Sequence, residues 1–214
     1  MDLLPVLLQG ALITIEITII SFFFALIIGI ITALARISNN KIFSTLARIY
    51  ISIIRGTPIL VQLMYIYFVL PELGVSISAF TSAIIGLALN EGAYLAETFR
   101  AGINSVDKGQ KEAAFSIGMN YKAAMKRIIL PQAFRNILPP VGNSAILLLK
   151  NSSLTSVIAV NELMHTGEQL ATSTFRTIEI FTIVAILYWV IHVPMTLLVN
   201  KLERRMDVDS TSRH

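Results

Sequence analysis

Glu91 is the residue whose chemistry most needs an explanation. It lies about halfway along an apolar stretch, Ala79 to Phe99, beside Asn90 and one turn before Tyr94. A carboxylate at that depth in an apolar helix is costly, and it faces a cavity or a partner. Residues three and four apart share a helix face, so Asn90, Glu91 and Tyr94 line one side of a path, with Glu97 a turn further on beside Arg100. Two roles fit Glu91: a carboxylate that receives the ammonium or side-chain cation of a substrate, or an ion pair with Lys150 that holds helices together. A second polar group, Lys150-Asn151-Ser152-Ser153, interrupts the apolar run from Ile137 to Val160. Irregular backbone at membrane depth survives where protein or a watery cavity satisfies it. Asn151, Ser152 or Ser153 can cap a second half-helix, whose free amides and dipole favour an anion. Broken helices of this sort hold substrate carboxylates in transporters. A substrate's anionic group is therefore expected at Ser152, Ser153 and Thr155, with its cationic part at Glu91. The alternative is a plain kink. Asn143 either faces the same cavity or joins two helices.

The elements that must position these groups are membrane helices. Of the 214 residues 55% are hydrophobic and only 14% charged, too little charge to cover a soluble domain. The whole chain, 1–214, reads as one all-α polytopic membrane domain. Its spans are Ala11 to Ala35, Ile42 to Leu70, Ala79 to Phe99, Ile137 to Val160 and Thr177 to Val199, each long enough to cross a bilayer. Met1 to Gly10 reads as an amphipathic lead-in at the membrane surface. With no basic residue before the first span, nothing need be cleaved. Pro58 is expected to kink span two where Arg55-Gly56-Thr57-Pro58 enters the bilayer, with Arg55 snorkelling to the phosphates. His192 and Pro194 read as a packed polar contact and a kink.

Loop charges give the orientation. Arg36 and Lys41 lie between spans one and two, with Arg48 and Arg55 in the first half of span two; seven basic residues lie between spans three and four, and Lys201, Arg204 and Arg205 follow span five. The other loops carry Glu72, Glu162 and Glu168 against Arg176 alone. The positive-inside rule places the N-terminus outside and the C-terminus in the cytoplasm of a bacterial cell membrane. The formal net charge of +4 therefore reports topology and not nucleic-acid binding. No metal-ligand spacing, catalytic triad or G-x-x-x-x-G-K-[ST] loop occurs, so no catalytic residue, metal or cofactor is assigned to this chain.

The polar region 105–131 joins spans three and four. Within it, Glu112 to Ile117 is expected to be helical, Gly118 to end that helix in the left-handed region, and Asn120 to cap a second helix, Tyr121 to Leu130. Pro131 marks entry to the next element. Small Ala113 and Ala114 leave a low surface that a partner protein can approach. By spacing alone, a basic loop lying on anionic lipid fits equally well.

The residues themselves resemble the EAA motif of the permease subunits of bacterial ABC importers. The matching positions are Glu112-Ala113-Ala114, Gly118, Ile128, Leu130 and Pro131. Further stretches are similar to the histidine/glutamine/arginine branch: Arg55-Gly56-Thr57-Pro58, Ala93-Tyr94-Leu95-Ala96-Glu97, Leu138-Pro139-Pro140 and Lys150-Asn151-Ser152-Ser153-Leu154. The resemblance implies a type I ABC importer membrane domain. It implies a pore of two permease chains, alike or different, two ATP-binding cassette subunits that bind ATP and Mg, and an extracellular solute-binding protein. It also implies that Glu112, Ala113, Ala114 and Gly118 belong to the coupling helix seated in the ATPase. The expected cargo is a polar amino acid, leaning to arginine, lysine or histidine because of Glu91, with glutamine the alternative. An ion-coupled secondary transporter would also use Glu91 and the broken span, and a non-transporting scaffold would also use the island; neither accounts for the EAA pattern together with the intramembrane groups.

Overall fold

The computed structural model describes residues 3–211, with side chains to Arg204. Met1, Asp2 and His214, and the side chain of Arg205, lie outside the described residues. Helix α1 (Leu3–Ile37) is one continuous rod. This corrects the expectation of a separate lead-in: Leu7 is fully buried and Gly10 packs against Thr166, so the first turns belong to the bundle. Helix α2 (Lys41–Gly56) starts at Asn40, whose side chain accepts from the Ile42 amide. It ends at Thr57-Pro58, because a proline disfavours helical backbone at the preceding residue. The chain then turns by 105° into Ile59–Glu72. That segment comprises α3 (Ile59–Met64), a π turn (Tyr65–Val69) and α4 (Leu70–Glu72).

Helix α5 (Ala79–Asn104) is capped by Ser78 and packs along α1. The island forms α6 (Lys108–Ser116) and α7 (Tyr121–Ala124). A second π turn (Met125–Ile129) leads straight into α8 (Leu130–Asn151). Pro131 marks the entry to α8, as expected from the sequence, and sits in its first turn on a helical path continuous from Tyr121. Each π turn precedes a Leu-Pro pair, with Leu70 N–H bonded to Tyr65 O and Leu130 N–H to Met125 O. The wider turn absorbs the ring and the missing N–H of the proline. Helix α8 continues as a 3₁₀ segment (Ser152–Ile158), then α9 (Leu163–Thr174) and α10 (Thr177–Thr211).

Three described helices are long and apolar enough to cross a membrane, and the bent pair α2 to α4 supplies a fourth. Helix α8 is less apolar because Gln132, Arg135, Asn136 and Asn143 lie along it. One core joins Ile17, Leu63, Leu87, Leu148 and Ile158, from α1, α3, α5, α8 and the 3₁₀ segment. A second joins Leu7, Leu163, Ile180 and Val184, from α1, α9 and α10. Helices α5 and α8 approach closely at Gly102, where an added Cβ would collide with Ile137.

Candidate functional site

The break between α2 and α3 opens a cavity of about 870 Å³ against α5 and α8. Asn90, Glu91, Tyr94 and Asn143, all expected from the sequence, line it together. Glu91 is buried, with the Ser144 hydroxyl within hydrogen-bonding reach and no ion pair among the described residues. Lys150 lines a different cavity, of about 560 Å³, between α8 and α10, so an ion pair with Glu91 is not formed. Glu97 pairs with Arg100, its Oε2 accepting at 2.7 and 3.0 Å, and lies 3.8 Å from Arg36.

The Tyr50 hydroxyl donates to Leu89 O at 2.6 Å, which ties α2 to the middle of α5. Arg55 lines the cavity, 5.0 Å from the centre of the Tyr94 ring, a cation–π distance. One expectation needs correction. There is no capped half-helix after Lys150. The Ser152 amide is bonded to Leu148 O and Lys150 O, and Asn151 makes no side-chain cap. The Ser152, Ser153 and Thr155 hydroxyls donate to Leu149 O, Lys150 O and Ser152 O. The chain tightens into a 3₁₀ helix instead of breaking, so no free amides await an anion. Ser152 and Thr155 are fully buried, and Ser153 lines the Lys150 cavity. None of the three shares the cavity of Glu91.

In the island, Gly118 adopts φ +81°, as a helix-ending glycine should. Asn120 Oδ1 accepts from the Ala123 amide at 2.8 Å. Glu112 and Ala113 are exposed, but Ala114 is only 1% exposed and faces inward. It is not part of the presented surface; exposed Phe115, Ile117 and Tyr121 are. Sequence reasoning missed them, although apolar residues in a basic loop were a visible signal. It also missed Gln62, the lone amide in the run from Ile59 to Leu70, and Glu162.

Glu162 is fully buried and caps α9. Its Oε1 accepts from the His165 amide at 2.7 Å, and its Oε2 from the Met164 amide at 2.9 Å and the Tyr188 hydroxyl at 2.8 Å. Burial pushes its carboxyl above the ordinary carboxylate value; the two amides and Tyr188 oppose that shift.

Residues 25–208 match the family of binding-protein-dependent transport system inner membrane components. The chain belongs to that family. The permease is 40% identical over 204 residues to the arginine transport system permease protein ArtQ of Bacillus subtilis, covering 95% of this chain and 93% of that one. It is 43% identical to the L-cystine transport system permease protein TcyB of the same organism, over 95% of this chain and 87% of that one. It is 38% identical to the glutamine transport system permease protein GlnP of Escherichia coli, over 96% and 94%. A crystal structure of an amino acid ABC transporter with histidines superposes with a TM-score of 0.91 at 40% identity, covering 94% of each chain. The permease is thus an amino-acid ABC importer subunit: it forms a pore in the membrane, and ATP hydrolysis lies in a separate ATPase.

Proposed function

We propose that this permease passes polar amino acids through the cavity at the α2–α3 break, favouring those with a cationic side chain. One observation carries the preference: Glu91 is buried, without an ion pair among the described residues, in a cavity that Arg55 also lines. A buried carboxylate gains most from a donor that arrives with a positive charge. Arg55 is the group suited to the substrate carboxylate, and Asn90, Tyr94 and Asn143 contribute polar contacts. Arginine, lysine and histidine fit this reading, which similarity to ArtQ supports; similarity to GlnP and TcyB supports glutamine or cystine as the second reading.

The basic loops support an orientation with the N-terminus outside and the island in the cytoplasm of a bacterial cell membrane. There the island, through Glu112, Ala113 and the Gly118 turn, docks an ATP-binding cassette subunit. Two such subunits, holding ATP and Mg, serve a pair of permease chains fed by an extracellular solute-binding protein. Uptake into vesicles carrying the whole complex tests the cargo. Arginine should compete better than glutamine, and Glu91→Gln should remove that advantage. Equal competition by glutamine in the wild type, or an unchanged preference in the variant, rejects the cationic reading.

A further inference from the structure

Gln62 bridges both sides of the break and the helix that carries Glu91. Its Nε2 donates to Ile54 O at 2.8 Å, Thr57 Oγ1 at 2.8 Å and Thr57 O at 3.1 Å. Backbone carbonyls only accept, so the amide must present its nitrogen there. The Thr57 hydroxyl spends its hydrogen on Ile53 O at 2.9 Å, leaving its oxygen as a third acceptor. The bonds satisfy carbonyls that the end of α2 would otherwise strand at membrane depth. They also turn Gln62 Oε1 towards α5, where it accepts from Asn90 Nδ2 at 3.0 Å. Asn90 is then oriented in turn. One hydrogen of its nitrogen is taken by Gln62, which puts Oδ1 on the other side of the amide, and the residue lines the cavity next to Glu91.

We infer that Gln62 is a positioning residue for the substrate: it sets the polarity of Asn90, so that this wall of the cavity offers two neighbouring acceptors, Asn90 Oδ1 and the Glu91 carboxylate, to a substrate amino or guanidino group. The inference rests on the reading of this cavity as the substrate site. The carbonyls at the end of α2, which touch no substrate, thereby help to specify it. Released from Gln62, the Asn90 amide is free to present its Nδ2 to the cavity, and a donor there opposes a donor on the substrate.

Equilibrium binding of tritiated L-arginine, L-glutamine and L-cystine to the purified permease–ATPase complex, without binding protein, tests the relay. Gln62→Met keeps the volume and removes the amide. For the amino acid that binds wild type tightest, it should raise Kd at least tenfold, the loss expected for a hydrogen bond to a charged group, while basal ATPase rate stays within twofold. The double variant Gln62→Met/Asn90→Ala should bind no more weakly than Asn90→Ala alone, since the effect runs through Asn90. Gln62→His can donate from one ring nitrogen to the carbonyls at the end of α2 and accept from Asn90 Nδ2 at the other, and should bind within threefold of wild type. It decides the matter if Gln62→Met fails to assemble. Unchanged Kd in Gln62→Met, additive losses in the double variant, or tenfold weakening in Gln62→His overturns the relay. A shift in Glu91→Gln without one in Gln62→Met rejects the relay and leaves the substrate site standing; no shift in either rejects both.

Discussion

Replacing Glu162 by Ala removes the acceptor for three donors at once: the Met164 and His165 amides and the Tyr188 hydroxyl. The site is fully buried, so each stranded donor costs about 1–3 kcal/mol. The helix-cap share alone costs about 1 kcal/mol. A water entering the space left by the side chain can satisfy part of the set, which places the expected loss near the low end, about 3–4 kcal/mol. Unfolding by SDS, followed through the emission of Trp189, reads it. That residue is the only tryptophan in the chain and it adjoins Tyr188. Glu162→Gln keeps a carbonyl oxygen for the helix amides and should cost about 1 kcal/mol. The pH dependence separates charge from shape. Burial raises the Glu162 carboxyl above its ordinary 4.5, so the folded protein holds a proton that the unfolded chain releases. Stability therefore falls as pH rises from about 4.5 to the folded value, and is level below and above that window. Glu162→Gln should erase this slope. A loss below about 1 kcal/mol in Glu162→Ala, or the same slope in Glu162→Gln, refutes the account.

Other perturbations address the remaining elements. Gly118→Trp forces a bulky side chain onto φ +81°, a conformation that costs a non-glycine residue about 1–2 kcal/mol. It should abolish substrate-stimulated ATP hydrolysis while the chain stays in the membrane; undiminished stimulation removes the docking role of the island. Glu112→Lys reverses an exposed charge on the same surface and should uncouple likewise, with binding of L-arginine unchanged. Gly102→Ala drives a methyl into Ile137 and should destabilise by about 1–3 kcal/mol; in an Ile137→Ala background, which lacks the colliding atoms, the same change should cost less. An equal cost in both backgrounds would show that the contact between α5 and α8 is not the cause.

Local backbone chemistry is legible in the order of the residues. Gly118 and Asn120 act through their own backbone and the next three residues, so their roles as stop and cap follow from residue type. Glu97 and Arg100 are also local, one helical turn apart. Contacts between distant segments are not legible in the same way. Nothing adjacent to Glu162 announces that Thr14 and Tyr188 converge on it (Thr14 Oγ1 lies 3.4 Å from its Oε2). The place of Arg55 in the cavity wall is not legible either, because its neighbours set its depth in the chain but not the tilt of α2. Ser152 and Ser153 mislead for a related reason. Hydroxyls that cap helices equally well bond back to their own carbonyls, and only the course of the chain from Leu148 decides between the two.

The π turn between Met125 and Ile129 has a mechanical consequence. A π turn carries one residue more than the α-helix needs to cover the same height. The helical path from Tyr121 to Asn151 therefore stores spare length between the end that meets the ATPase in the proposed assembly and the end that walls the cavity. Taking up that residue into regular α-helix would slide α8 by about 1.5 Å along its axis, the rise per residue, and would set the Pro131 ring against the Arg127 carbonyl, which the proline has no N–H to satisfy. The same store precedes Pro71 in the other arm of the broken span. Each of two walls of the cavity thus carries one residue of spare helical length, held in place beside a proline.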